Sequence, residues 1–217
     1  MVITVYGGMG LAGEDRTREK ILKAAKEEFL TKGFRDASLR KITDKAGVTT
    51  GSLYWHFKNK DELFDAIVGD HYQYIMDLYQ DGLDRFFAMS NEDQKTHLGD
   101  IGDACMAQLL EYIYQNKVEF QILIEGAAGT KYGNMIHELT ESEISSTHVL
   151  AQHMRELGIE SKELSPILEH ILVSGMFTGL LELIIHDVPF ETARRCAQQL
   201  HAFHTAGWRH IMNIPEQ

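Results

Sequence analysis

Apolar residues return at helical spacing along nearly the whole chain. Ile21, Leu22, Ala25 and Phe29 share one face of a segment that Asp15 or Thr17 can cap and that runs to about Lys32. Gly33 then supplies a left-handed stop. Ser38 caps a second helix over 39–46, with Leu39, Ile42 and Ala46 inward and Arg40, Lys41 and Lys45 wet. Gly47 permits a sharp turn, Val48 plugs the junction, and Thr49 caps a third helix starting at Thr50. Leu53 and Phe57 lock that helix inward, and core packing is the first choice for Trp55, with a groove contact second. Asn59 caps a long fourth helix from Lys60 to about Phe87. Further helices are expected over 92–115, 117–129, 134–157, 165–187 and 190–212, and only three prolines interrupt them. The pattern predicts an all-α chain.

The exposed residues of the second and third helices carry the chemistry. Two short helices around a tight glycine turn, the second rich in hydroxyls and aromatics, form a helix-turn-helix that can read duplex DNA. Thr50, Gly51 and Ser52 are small enough to let a helix start approach a groove, where hydroxyls and amides meet bases or phosphates. Tyr54, His56 and Lys60 can reach the phosphate backbone, and Arg40 joins the exposed set, for which no core role is expected. A bare three-helix packing module would share the same buried residues, so periodicity alone does not separate the two readings.

Charge sharpens the contrast between the ends. Between Arg16 and Lys60 twelve basic residues face five acidic ones, a surplus of seven; since the chain totals −11, the remainder carries −18. Such a basic block steers toward phosphate and an acidic remainder turns away from it. Domains are therefore expected at 14–60, a DNA-binding helix-turn-helix, and 61–217, a larger helical effector-binding and dimerisation body.

Within that body Tyr72, Met76, Tyr79, Phe86, Met106, Leu109, Tyr112, Phe120, Leu123, Ile136 and Met154 are candidate walls of an apolar ligand cavity. Taken singly, each is better explained by core packing, and only their abundance together supports a pocket. The segment 167–185 is too continuously apolar for an ordinary wet helix, and Pro166 suits its first turn. With the final helix it forms an expected dimer interface through Ile171, Ser174, Gly175, Thr178, Gly179, Leu200, Phe203 and His204.

Other chemistry is excluded by its missing patterns. Cys105 and Cys196 lie far apart in apolar helical segments and read as buried free thiols. His148 with His153, and His201 with His204, lack nearby ligands at metal-site spacing, so no metal or cofactor is expected. No nucleophile elbow, HExxH pair, phosphate loop or dinucleotide fingerprint occurs, which argues against an enzyme. By eye no apolar run reaches about 18 residues and no secretory leader pattern opens the chain, giving an expected cytoplasmic location without a membrane partner.

Residues 17–64 closely resemble the tetracycline-repressor-like (TetR) family of bacterial transcriptional regulators. The likeness rests on Ala24–Ala25, Phe29, Gly33–Phe34, Ser38–Leu39–Arg40, Ile42, Ala46–Gly47–Val48–Thr49, Gly51 through Phe57, Lys60 and Leu63. The resemblance implies a three-helix DNA-binding head on a dimeric all-helical body, with Ser38, Thr49, Thr50, Tyr54, His56 and Lys60 contacting operator DNA. Thr43 departs from the family's usual alanine, its hydroxyl expected to bond back four residues. The amino-terminal arm, residues 2–13, is apolar and glycine-rich where many members are basic. The expected function is a ligand-responsive transcriptional regulator, a repressor that binds a palindromic double-stranded operator as a homodimer and leaves it on binding a small apolar or amphipathic effector. Alternatives are a transcriptional activator, or a small-molecule binding protein whose head contacts protein.

Overall fold

The computed structural model describes residues 8–215, with side chains from Glu14 onward. All side chains of the amino-terminal arm, residues 2–13, thus lie outside the described residues. Ten α-helices account for nearly all of it: α1 (Gly8–Asp36), α2 (Leu39–Ala46), α3 (Thr50–His56), α4 (Lys60–Phe87), α5 (Asn91–Thr96), α6 (Asp100–Gln115), α7 (Lys117–Gly126), α8 (Met135–Glu156), α9 (Pro166–Ile185) and α10 (Phe190–Ile211). A 3-10 turn, Lys131–Asn134, precedes α8, and no strand occurs among the described residues.

The chain folds as two compact units. The first holds residues up to Tyr72 together with Val118–Gly133, so it extends beyond the 14–60 head expected from sequence. Its core stacks Ile21, Ala25 and Phe29 of α1 with Ile42, Leu53, Leu63, Phe64 and Val68, all essentially without solvent contact. Phe29 and Phe34 both meet the Phe64 ring edge to face, at centroid distances of 5.0 and 5.3 Å. The added segment brings Phe120, Ile122 and Leu123, all buried, to the same unit. Gly126 and Gly33 let two backbones nearly touch: a Cβ on Gly33 would lie 3.6 Å from the Gly126 Cα. Gly33 has φ 66°, so α1 kinks there as its missing side chain allows.

Local signals set the short helices. Ser38 Oγ accepts from the Lys41 amide, and Glu28 accepts from the Ser38 amide at 3.1 Å. Gly47 closes α2 in the left-handed region, φ 66° and ψ 38°, while the Val48 amide returns to the Thr43 carbonyl. Thr49 Oγ1 accepts from the Ser52 amide at 3.1 Å. Before α4, Asn59 Oδ1 accepts from the Glu62 amide at 2.7 Å and Glu62 accepts from the Lys58 amide at 2.8 Å, a reciprocal cap.

The second unit comprises Gln73–Lys117 and Asn134–Gln217. The helix expected over 92–115 is two helices, α5 and α6, because Gly99 takes φ 101° between them. Gln94 seals that corner from inside, donating to the Met89 carbonyl at 3.0 Å and bonding His153 Nδ1 at 2.9 Å. Leu150, Met154, Met212 and Ile214 form a core cluster against Phe86, Phe87 and Trp208. Helix α9 is strongly apolar yet little buried: 20 residues at mean hydropathy 1.6, with 17% of its most apolar window buried. It is long and apolar enough by composition to cross a bilayer, which the expected absence of such a run had missed.

Candidate nucleic-acid interface and apolar cavity

The first site is the outer face of α2 and α3. Arg40, Thr49, Thr50 and Gly51 are exposed, Ser38, Ser52 and His56 are half-buried, and Tyr54 is 50% exposed. Leu53 and Phe57, one helical turn apart, are both buried and hold α3 down. Trp55 is 67% exposed, which corrects the core placement. Lying two residues from Leu53, it falls about 200° around the helix from the buried stripe. Its ring stands edge-on to His56 at 4.6 Å. The outer face of α3 therefore offers hydroxyls, two aromatic rings and an imidazole side by side.

Lys60 has an internal role that sequence reasoning did not assign. Its Nζ donates to the carbonyls of Arg35 and Ala37 at 3.1 and 3.2 Å and lies 4.7 Å from the Phe34 ring centre. Thus Lys60 caps the end of α1 as well as contributing charge. Two other lysines of the basic block are committed to carboxylates, Lys45 to Glu27 and Lys26 to Glu119. The Lys45 hydrogen bond holds the Glu27 carboxyl below its usual range. Arg40 and Lys41 are exposed on α2. Thr43 is buried, and its hydroxyl donates to the Arg40 carbonyl at 2.8 Å, three residues back instead of four.

The second site is a cavity of about 260 Å3 inside the second unit, walled by α4, α6, α8, α9 and α10. Of the expected lining, Tyr79, Phe86, Met106, Leu109 and Ile136 are present. The others are elsewhere for identifiable reasons. Phe120 and Leu123 are core residues of the first unit, and Tyr72 packs edge-on to Tyr132 there. Tyr112 stacks on Tyr74 at 3.7 Å, and Met154 is buried in the core cluster. Met76, half-buried on α4, does not line the cavity.

Polar groups in the wall are few, and sequence reasoning named only Tyr79 and, for other roles, His201 and His204. Glu143 enters from α8, with Ser146 one turn on, and His201, His204 and Thr205 from α10. The Tyr79 hydroxyl donates to Glu143 Oε2. Burial pushes the Glu143 carboxyl above its ordinary range, against the pull of that hydrogen bond and of His201. Burial and the adjacent Glu143 charge push the Tyr79 phenol up in turn. His201 Nδ1 meets Asp103 Oδ1 at 2.7 Å, while burial and then His201 push His204 down. Gly102 makes room for the His201 ring: a Cβ there would lie 2.6 Å from Nε2.

The expected dimer residues divide between two environments. Ile171 (56% exposed), Gly175, Thr178 and Phe203 (73% exposed) face outward, beside Ile167 and Leu168. Ser174 is half-buried. Gly179 instead accommodates Leu200 of the same chain, a Cβ there lying 3.1 Å from Leu200 Cδ2, and His204 lines the cavity. Gly179 and Leu200 thus serve the packing of α9 on α10. Cys105 and Cys196 are free thiols, half-buried where full burial was expected.

Known proteins resemble this chain in part of its length or in its fold. The sequence profile of the bacterial regulatory proteins of the tetR family fits residues 21–67. The HTH-type transcriptional regulator SrpR of Pseudomonas putida is 46% identical over 57 residues, 26% of this chain and 27% of that protein. The HTH-type transcriptional regulator TtgR, also of Pseudomonas putida, is 35% identical over 102 residues, 47% of this chain and 43% of that protein. The chain thus spans less than half the length of these curated relatives. SmeT, the repressor of the Stenotrophomonas maltophilia multidrug efflux pump SmeDEF, superposes with a TM-score of 0.53 at 22% identity, over 92% of this chain and 96% of that one. At that identity the likeness concerns the fold, an all-helical one with an amino-terminal helix-turn-helix. Residues 21–67 thus match the amino-terminal module of the tetR family of bacterial regulatory proteins.

Proposed function

We propose that the protein is a ligand-responsive transcriptional repressor that acts in the cytoplasm and has no enzymatic role. The observation that carries this reading is the outward set on α2 and α3, Arg40, Thr50 and Tyr54, held by the buried pair Leu53 and Phe57. Hydroxyls on a short helix after a tight turn, with a guanidinium on the helix before it, suit phosphate and base-edge contacts in a major groove. Two copies joined through the outward stripe of α9 and α10 would set two heads on a palindromic operator. The cavity is the effector site in this reading. SmeT, of similar fold, is known as a complex with triclosan, which supports a small-molecule effector here. An effector that favours a head spacing poorly matched to the operator would need a coupling of about 3–5 kcal/mol to empty it.

The test begins with selection from a random duplex pool at near-physiological salt. A palindromic consensus should emerge, and the Arg40→Ala, Thr50→Ala, Tyr54→Ala protein should lose it at least about a hundredfold, three lost contacts of about 1 kcal/mol or more each. Lys60 is spared because its substitution would also uncap α1. Failure to enrich any duplex, or unchanged retention by the triple variant with its helix content intact, overturns the DNA reading.

A further inference from the structure

The cavity wall holds one carboxyl group and neither lysine nor arginine. That carboxyl, Glu143, has hydroxyl partners, Tyr79 and Ser146, which supply hydrogen bonds but no countercharge. The two imidazoles leave one negative charge over: His201 pulls on Glu143 but is already paired with the Asp103 carboxylate, and His204 is held toward its neutral form. A carboxylate surrounded by apolar side chains is costly unless a positive group joins it. Aromatic faces are at hand for such a group. Tyr79 and Phe177 meet edge to face at 6.0 Å, and Trp208 stands in the same wall. Aromatic faces attract desolvated cations through the ring quadrupole. An anionic ligand would set like charges together in a medium that screens them weakly, and a neutral one leaves the acid unmatched.

We propose that the cavity takes a lipophilic monocation, an aryl or alkyl ammonium whose charged end lies against Glu143 and the Tyr79–Phe177 rings while its apolar body fills the space toward Trp208. This rests on the cavity being the effector site and narrows the effector to one charge class, excluding fatty acids and other lipophilic carboxylates.

The protein carries two tryptophans, Trp55 and Trp208, so Trp55→Phe leaves a single emitter in the cavity wall. Three probes of one shape are titrated into this protein without DNA. They are a 4-butylbenzyl group bearing trimethylammonium, its uncharged isostere with carbon in place of nitrogen, and 4-butylphenylacetate. The ammonium should bind about tenfold tighter than the isostere, the advantage of one desolvated charge contact, and the acetate weakest. Adding Glu143→Gln should erase the ammonium's advantage while leaving the isostere's affinity unchanged, and that retained affinity reports an intact cavity. Glu143→Asp, which keeps the charge, should keep a preference for the ammonium. The proposal is overturned if the isostere or the acetate binds as tightly as the ammonium, if the preference survives Glu143→Gln, or if none of the three alters Trp208 emission. Duplex retention measured beside it separates this from the regulatory reading. Ammonium binding that leaves duplex affinity unchanged overturns effector gating and leaves the cation site standing. Release by the acetate alone overturns the cation site and leaves gating standing.

Discussion

Glu143 is the residue where position and chemistry diverge most. It occupies the cavity-facing stripe of α8 among Ile136, Leu139, Ser146, Thr147 and Leu150, a place where the helix otherwise supplies apolar or hydroxyl groups. Because burial raises its pKa from the ordinary 4.5, the folded state binds the proton more tightly than the unfolded chain does. Between the unfolded and folded values the native state therefore carries more protons, and stability falls as pH rises through that window. Glu143→Gln removes this dependence. Urea melts of the two proteins should show the variant gaining on the parent as pH rises above the ordinary carboxylate range; a constant gap would contradict burial as the cause. This residue was legible in principle, since spacings of seven from Ile136 and four from Leu139 put it on the apolar face. A charge in sequence reads as a wet surface, and only the neighbouring helices reveal otherwise. Trp55 shows the opposite error: its size suggested a core, although the stripe through Leu53 and Phe57 already placed it outside.

At the scale of elements, caps and turns were the clearest part of the sequence. Ser38, Gly47, Thr49 and Asn59 mark boundaries through bonds that are purely local. Less legible was the split between α5 and α6, which depends on Gly99 adopting a positive φ against Thr205, a residue over a hundred positions away. The distribution of cavity residues was obscure for the same reason: α7 is as apolar as its neighbours, yet it belongs to the core of the first unit. Gly47 offers a clean test of turn chemistry. No atom lies within 4 Å of the Cβ that alanine would add, so only backbone strain is at stake. Gly47→Ala should cost about 1–2 kcal/mol in unfolding free energy, seen as a lower denaturation midpoint with unchanged slope. A neutral result would mean that the turn relaxes to another conformation.

For the whole molecule, the outward stripe of α9 and α10 is the feature that most needs a partner. Ile167, Ile171 and Phe203 expose more than half of their surface, and Gly175 leaves open space beside them. A hydrophobic interface of two such helix pairs loses its core when a charge is placed within it. Ile171→Asp combined with Phe203→Asp should therefore shift sedimentation from dimer to monomer without loss of helix content. A variant that still sediments as a dimer would move the interface elsewhere.

The return of Val118–Gly133 to the first unit has a practical meaning for anyone dividing this protein. Severing the polypeptide after Tyr72 would strip away Phe120, Ile122 and Leu123 and uncover the backbone groove that Gly126 shares with Gly33. The first unit is therefore discontinuous along the gene, and an autonomous version has to splice two distant coding stretches together.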